Sequence, residues 1–325
     1  MTVGRFSYLQ RVFSAYLGSG RSHLTFWHDD PQVNEKADPS KLAEYYMPFF
    51  AKADYPGQQD EMGIPMLDYR GKVGLQYNPI AIAQYGLGNY NLYKRTGRAE
   101  RRDRFLKAAD WLVQNLETTR WGTKVWNHHF DWEYRDALKS PWYSALSQGQ
   151  GVSLLLRARK ETGNEAYLKA AEEAFATFKR GLDEGGVTYK DRDGNLWFEE
   201  AIVDPPTHIL NGFMWAAWGV YDYSLYTGDP EAKELFKAAV KTLKQNLPLF
   251  DAGYWSLYEH SGTKMKMLAS PFYHNLHIVQ LKVMHGLTGE RLFHQFAERW
   301  EGYRNSPLKK TRALLYKSIF KLAYY

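Results

Sequence analysis

The chain has 325 residues, 44% of them hydrophobic and 16% aromatic, enough apolar material for one large core or two ordinary ones, which excludes a disordered or fibrous protein. A net charge of +6 is modest for this length and the basic residues are scattered, so there is no nucleic-acid stripe and at most a weak pull on anionic substrates. The absence of cysteine excludes a disulfide framework, a thiolate metal site and a thiol nucleophile, and suits a reducing compartment.

In chain order, the first residues, MTVGRFSYLQRVFSAYL, lack the continuous apolar core and cleavage site of a signal peptide. Arg5–Leu17 and Ser40–Phe50 read as helical pieces. No later stretch approaches the roughly 18 apolar residues of a membrane span, so the expected location is the cytoplasm.

A repeat then begins. An apolar segment, the dipeptide Thr-Gly and an amphipathic segment recur about every 65 residues, with the dipeptides at Thr96-Gly97, Thr162-Gly163, Thr227-Gly228 and Thr288-Gly289. The amphipathic segments RFLKAADWL, AYLKAAEEAF, ELFKAAVKTL and RLFHQFAERW place apolar residues at helical spacing with one wet face, and each Gly is a helix stop. The segments ahead of Thr-Gly carry little charge and read as inner helices. Helical hairpins of this kind bury their apolar faces only by stacking. The predicted fold is therefore all-α, an (α/α)6-type barrel forming one domain over 1–325. Four hairpins are clear, and the remainder would come from the two N-terminal pieces and the C-terminal segment.

Between outer and inner helices lie longer excursions: TKVWNHHFDWEYRDA, VTYKDRDGNLWFEEA with its Asp193-Gly194 turn, and the stretch Pro248 to Ser270. All must emerge at one end of the barrel, where the inner helices also begin. Function belongs there, and the helix N-termini favour an anion. Gln148, Gly149 and Gln150 fall in the first turns of an inner helix, with glycines permitting close approach and amides suited to sugar hydroxyls. The surplus of aromatic residues has two open readings, as cleft lining or as core.

The last segment, 307–325, has five basic residues and no acidic one, interleaved with Leu308, Leu314, Leu315, Ile319, Phe320 and Leu322. Two readings stay open: an interfacial helix on an anionic membrane surface, or a last helix packed on the barrel with a solvated basic face.

WYSALSQGQG at 142–151, YNPIAIAQYGL at 77–87 and ILNGFMWAAWGVYDY at 209–223 together resemble the C-terminal catalytic domain of the D-glucuronyl C5-epimerases, which convert glucuronate to iduronate within heparan-type chains. The likeness runs in order from about Gly63 to Ser306. It implies an (α/α) barrel, an anionic glycan as partner, no nucleic acid, no cofactor, and catalysis by Glu200, Tyr258 and Tyr273. Glu200 and Tyr273 are expected to face each other across C5 as the proton-transfer pair, with Tyr258 assisting. Tyr77, Gln84, Trp142, Gln148, Gln150, Asn211, His274 and His277 are the expected substrate-binding residues. His274 and His277 have the i, i+3 spacing of some metal ligands but no obvious third ligand, so no metal is expected. A tyrosine that is to act as a base needs positive neighbours, for which His274, His260 and Lys264 are candidates.

Two positions depart from the resembled pattern. Ala201 stands where a third tyrosine is expected, and Ser261 where an arginine would meet the substrate carboxylate, so that role passes to Arg135, Arg157 or a nearby His. Rival readings are a uronate lyase, a glycoside hydrolase using Glu200 with Asp251 or Glu259, and a non-catalytic glycan-binding module. A homodimer is left open.

Overall fold

The computed structural model describes Phe26, Trp27, 29–133 and 137–324. The predicted helical piece Arg5–Leu17 lies outside these residues.

Each repeat folds as its pattern requires. The inner helices are α2 (Pro79–Thr96), α4 (Ala145–Thr162), α6 (Leu210–Thr227) and α8 (Pro271–Thr288). All four end on the Gly of the Thr-Gly pair, whose left-handed backbone returns an N–H to a carbonyl of the last turn. The outer helices are α3 (Ala99–Gln114), α5 (Glu165–Phe175), α7 (Pro230–Asn246) and α9 (Arg291–Asn305). They bury one stripe each, as with Phe105, Ala108, Ala109 and Leu112 of α3, while α4 is buried continuously from Ala145 to Ala158. Around the ring α2 packs on α4, α4 on α6, and α6 on α8. The fold is an all-α barrel of helical hairpins, with four complete hairpins among the described residues. A short helix α1 (Phe50–Ala53) packs on α2, and α10 (Pro307–Tyr324) packs on α9.

The tightest crossing explains the run QGQG. A Cβ built on Gly219 would lie 2.3 Å from the Cα and carbonyl oxygen of Gly149, so α4 and α6 meet backbone to backbone. A Cβ on Gly151 would strike the Trp126 ring at 2.3 Å. The predicted close approach is real, and it is made by a neighbouring helix and a tryptophan.

The excursions form four two-stranded antiparallel hairpins: β1 (Leu67–Asp68) with β2 (Leu75–Gln76), β3 (Glu117–Thr118) with β4 (Lys124–Val125), β5 (Trp132–Glu133) with β6 (Ala137–Leu138), and β7 (Thr188–Lys190) with β8 (Leu196–Phe198). In the β7–β8 turn the Asp191 carboxylate accepts from the N–H groups of Asp193 and Asn195. Pro248 to Ser270 makes only isolated bridges, Asp251 with Ser256 and Leu257 with Leu268.

Ser40–Phe50 is not helical, contrary to its pattern. Helix begins only at Phe50, and the preceding residues plug the barrel at the C-terminal end of the inner helices. Pro48 opposes a helix there, and the helices supply the partners that the irregular backbone needs. Asn91 accepts from the Tyr45 N–H at 2.7 Å and donates to the Met47 and Pro48 carbonyls, while Arg157 donates to Ala43 O at 2.9 Å. Beneath the plug, Arg157 Nη1 donates to Asp222 at 2.6 Å, and the Tyr46 hydroxyl donates to the same carboxylate at 2.6 Å.

Helix α10 buries Ala313, Leu314 and Phe320. Its Arg312 lies 4.1 Å over the Tyr254 ring, and Lys309 lies 3.9 Å over Tyr303. Leu308, Leu315 and Ile319 remain exposed on its outer side. No helix among the described residues is long and apolar enough to cross a membrane.

Candidate active site

Between the plug and the mouth lies a cavity of about 510 Å³, lined by Glu200, Tyr258 and Tyr273 and by an aromatic wall that includes Tyr69, Phe130, Trp132, Trp142, Trp215 and Phe272. The aromatic surplus therefore serves both uses foreseen for it, since Trp126, Trp197, Trp218, Trp255 and Trp300 are fully buried core.

Glu199 and Glu200 follow β8 and point to different partners. Glu199 is fully buried and accepts from the His208 backbone N–H and ring, which locks the connection into α6. The next side chain consequently faces the cavity. Glu200 lies against the first turn of α6, where the Asn211 amide donates to it at 3.4 Å. Gly212 makes room: a Cβ there would lie 2.1 Å from Glu200 Oε2. Tyr258 is held by its own backbone, its N–H donating to Met267 O at 2.7 Å and its carbonyl accepting from Leu210 N at 3.1 Å. That second bond satisfies a donor of an α6 N-terminus whose Ile209 offers no side-chain cap. Tyr273 sits in the first turn of α8, its N–H bonded to the capping Ser270 hydroxyl at 3.2 Å. The Tyr258 and Tyr273 rings meet edge to face, with centroids 4.8 Å apart.

Electrostatics separate the three groups. Burial and the neighbouring Glu199 carboxylate push Glu200 up to about 8, with the Asn211 amide opposing. Burial first, and the Glu200 charge second, raise Tyr273 and Tyr258 above the ordinary phenol value. The tyrosines are thus proton donors at neutral pH, and Glu200 is largely protonated there, its ionised fraction being an unusually strong base. Among the described residues no cation lowers Tyr273: His260 and Lys264 do not line the cavity, and His274 is neutral in the core.

Of the expected binding residues, Gln84, Trp142 and Asn211 line the cavity. The Trp142 ring stacks on His128 with centroids 3.8 Å apart, and its Nε1 donates to Phe130 O. Gln84 Oε1, Asn211 Oδ1 and Trp215 Nε1, all buried, have no hydrogen-bond partner among the described residues.

The other five are placed elsewhere. The Tyr77 hydroxyl donates to Asp60 and its ring packs on Trp111, outside the cavity. Gln148 fastens framework: it accepts from Trp126 N and donates to Lys124 O and Ala174 O. Gln150 lies behind Gln84, accepting from its amide at 3.0 Å. His274 and His277 share the Ser256 hydroxyl and are fully buried, and His274 also bonds the Trp300 carbonyl. Burial drives the pKa of both far down, to about 3 for His274, so they are neutral packing groups. Ala201 is buried beside Leu138 and Ile209. The Ser261 hydroxyl donates to Glu259, and Arg157 is committed to Asp222 below the plug, so neither reaches the cavity. Arg135 lies outside the described residues.

The family described as D-glucuronyl C5-epimerase C-terminus matches residues 114–302, more than half of the chain. The chain belongs to this family. It is similar to the D-glucuronyl C5-epimerase of Caenorhabditis elegans, 36% identical over 214 residues, which cover 61% of this chain and 34% of the worm protein. An uncharacterized protein of Methanocaldococcus jannaschii is 31% identical over 213 residues, covering 61% of this chain and 67% of the archaeal one. The match thus spans about a third of the worm enzyme's length. Among solved structures, cellobiose 2-epimerase from Spirochaeta thermophila shares the fold, with a TM-score of 0.51 and 10% identity over 91% of this chain and 84% of that one.

The matched segment holds Glu200, Tyr258 and Tyr273 but stops short of both ends of the cavity wall. Lys52 of α1, Asp29, Tyr69 and Lys317 of α10 line the same space; sequence patterns singled out none of the first three, and Lys317 only as one of the five basic residues of 307–325. The one available signal was a single cation inside the run FFAKA.

Proposed function

We propose that this member of a carbohydrate epimerase family inverts C5 of a uronic acid residue, of the D-glucuronate to L-iduronate type, in an anionic glycan. The observation that carries this reading is the convergence on one cavity of a carboxyl group of raised basicity, Glu200, and two protonated phenols, Tyr258 and Tyr273. A C5–H beside an ionised carboxylate is weakly acidic, because its removal would create a dianion. The ionised fraction of Glu200, a minority at neutral pH that grows towards pH 8, takes that proton, and the electron pair left at C5 delocalises into the sugar carboxylate. The Tyr273 hydroxyl then delivers a proton to the other face of C5. The tyrosinate and the protonated glutamate return to their starting forms by proton exchange with solvent, and Tyr258, edge-on to Tyr273, stabilises the phenolate while it lasts.

The hydrolase reading is weakened, since neither proposed second carboxylate lines the cavity: Asp251 meets Arg299 at 3.4 Å, and Glu259 is buried against Ser261.

The deciding experiment is incubation with a glucuronate-containing oligosaccharide in D₂O, followed by NMR. Deuterium at C5 with a new iduronate signal is the expected result. An unsaturated uronate would replace the proposal with a lyase, and new reducing ends with a hydrolase. Binding without any change would leave a glycan-binding module.

Gly212→Ala tests where Glu200 must stand. The new methyl displaces the carboxylate by an ångström or more, and exchange at C5 is expected to fall roughly 10²-fold. The helix itself tolerates Ala better than Gly by about 1 kcal/mol, so far-UV circular dichroism should not change. An undiminished exchange rate would show that the carboxylate acts from some other position.

A further inference from the structure

We infer that Lys52 is the cation that receives the carboxylate of the sugar acid, a role left open at Ser261 and filled from outside the family-matched segment. The inference deepens the proposed function and rests on a uronate being the ligand.

The placement of Lys52 is built by the fold. Phe49 adopts a left-handed backbone, φ 53°, which turns the chain from the plug into α1. α1 then presses on α2 at Gly88, where a Cβ would come within 2.4 Å of Phe49 O. This brings Lys52 to the cavity wall with its side chain only 4% exposed. Its ammonium donates to Phe26 O at 2.6 Å and lies 4.7 Å from the centre of the Phe26 ring. The one carboxylate paired with it among the described residues is Asp29, at 3.7 Å, longer than a direct hydrogen bond.

Its neutral partners are the Phe26 carbonyl and the rings of Phe26, Trp27 and Phe49, so among the described residues the buried ammonium has only the distant Asp29 as counter-charge, and an arriving carboxylate supplies a closer one. Burial holds its pKa down to about 8, with Asp29 opposing, so it remains largely protonated at neutral pH. The other cation lining the cavity among the described residues, Lys317, donates to Leu268 O on the α10 side. An ammonium beside the sugar carboxylate is also what the chemistry requires, because it offsets the second negative charge that forms when C5 loses its proton.

The test compares two probes by calorimetry: a glucuronate-containing oligosaccharide and the same oligosaccharide with its carboxyl groups reduced to alcohols. Wild type should bind the acid at least tenfold more tightly than the alcohol. Lys52→Met should bind both alike, and Lys52→Arg should recover part of the preference. Because Lys52 also holds Phe26 O, a second measurement uses wild type alone. The rate of amine-specific labelling of Lys52, read by peptide mass spectrometry, should drop at least tenfold when the acid is present and not when the alcohol is. A preference that persists in Lys52→Met, or labelling unaffected by the acid, overturns the inference. C5 exchange is scored separately. Exchange by wild type with no role for Lys52 removes this inference and leaves the epimerase reading, whereas Lys52-dependent acid binding without exchange does the reverse.

Discussion

Glu200→Gln is expected to lower deuterium incorporation at C5 by about 10²- to 10⁴-fold, the usual range for loss of a positioned proton-transfer group. The same substitution should make the protein more stable at pH 8. A carboxyl whose folded value of about 8 exceeds its ordinary value of 4.5 binds more protons folded than unfolded between those limits. Stability from this group therefore declines as pH rises from about 4.5 to about 8, and below 4.5 both states are protonated and the effect vanishes. Gln, which never ionises, escapes that decline. Thermal melts of both proteins should coincide near pH 4 and separate in favour of the variant at pH 8. Melts that stay superimposed would mean that Glu200 is ordinarily hydrated and not the basic group described. Tyr273→Phe should lose exchange to a similar degree without the pH-dependent gain, and exchange that survives in it would remove Tyr273 from its assigned role.

Arg157→Met is expected to destabilise the fold by about 3–5 kcal/mol, because among the described residues it leaves the fully buried Asp222 carboxylate with only the Tyr46 hydroxyl. The loss is large because the pair joins α4, α6 and the plug, so no partner can move without the others. Denaturant titration measures it. Arg157→Met combined with Asp222→Leu should recover much of the stability, since no charge is then stranded. A loss below about 1 kcal/mol for the single variant would show that water reaches the carboxylate.

The barrel was legible because its information is local and repeated. Each Thr-Gly marks a helix end whose glycine takes a left-handed backbone, and each amphipathic segment buries the stripe its spacing predicts. Ser40–Phe50 misled because its apolar pattern reflects burial in a plug, with backbone partners supplied by Asn91 and Arg157 from distant helices. In the site, Glu200, Tyr258 and Tyr273 were reachable through the family likeness, yet which amides and imidazoles touch the cavity was not. Gln148 and Gln150 lie in the first turns of one helix, and what separates them from Gln84 is long-range contact: Gln148 is bonded to Trp126, Lys124 and Ala174, and Gln150 sits behind Gln84, which alone lines the cavity. His274 and His277 lost their expected role to a single buried hydroxyl, Ser256, whose distance from them in sequence hid the contact. Lys52 could not be foreseen because its importance comes from an unusual backbone angle three residues earlier and a glycine on another helix.

The stoppered base of the toroid, with Met47 and Phe49 forming the far side of the cavity, has a consequence for long substrates. A tube sealed at one end cannot be threaded. On the reading proposed above, a glycan chain reaches the cavity over the rim, one sugar dipping inward, because the plug closes the way through.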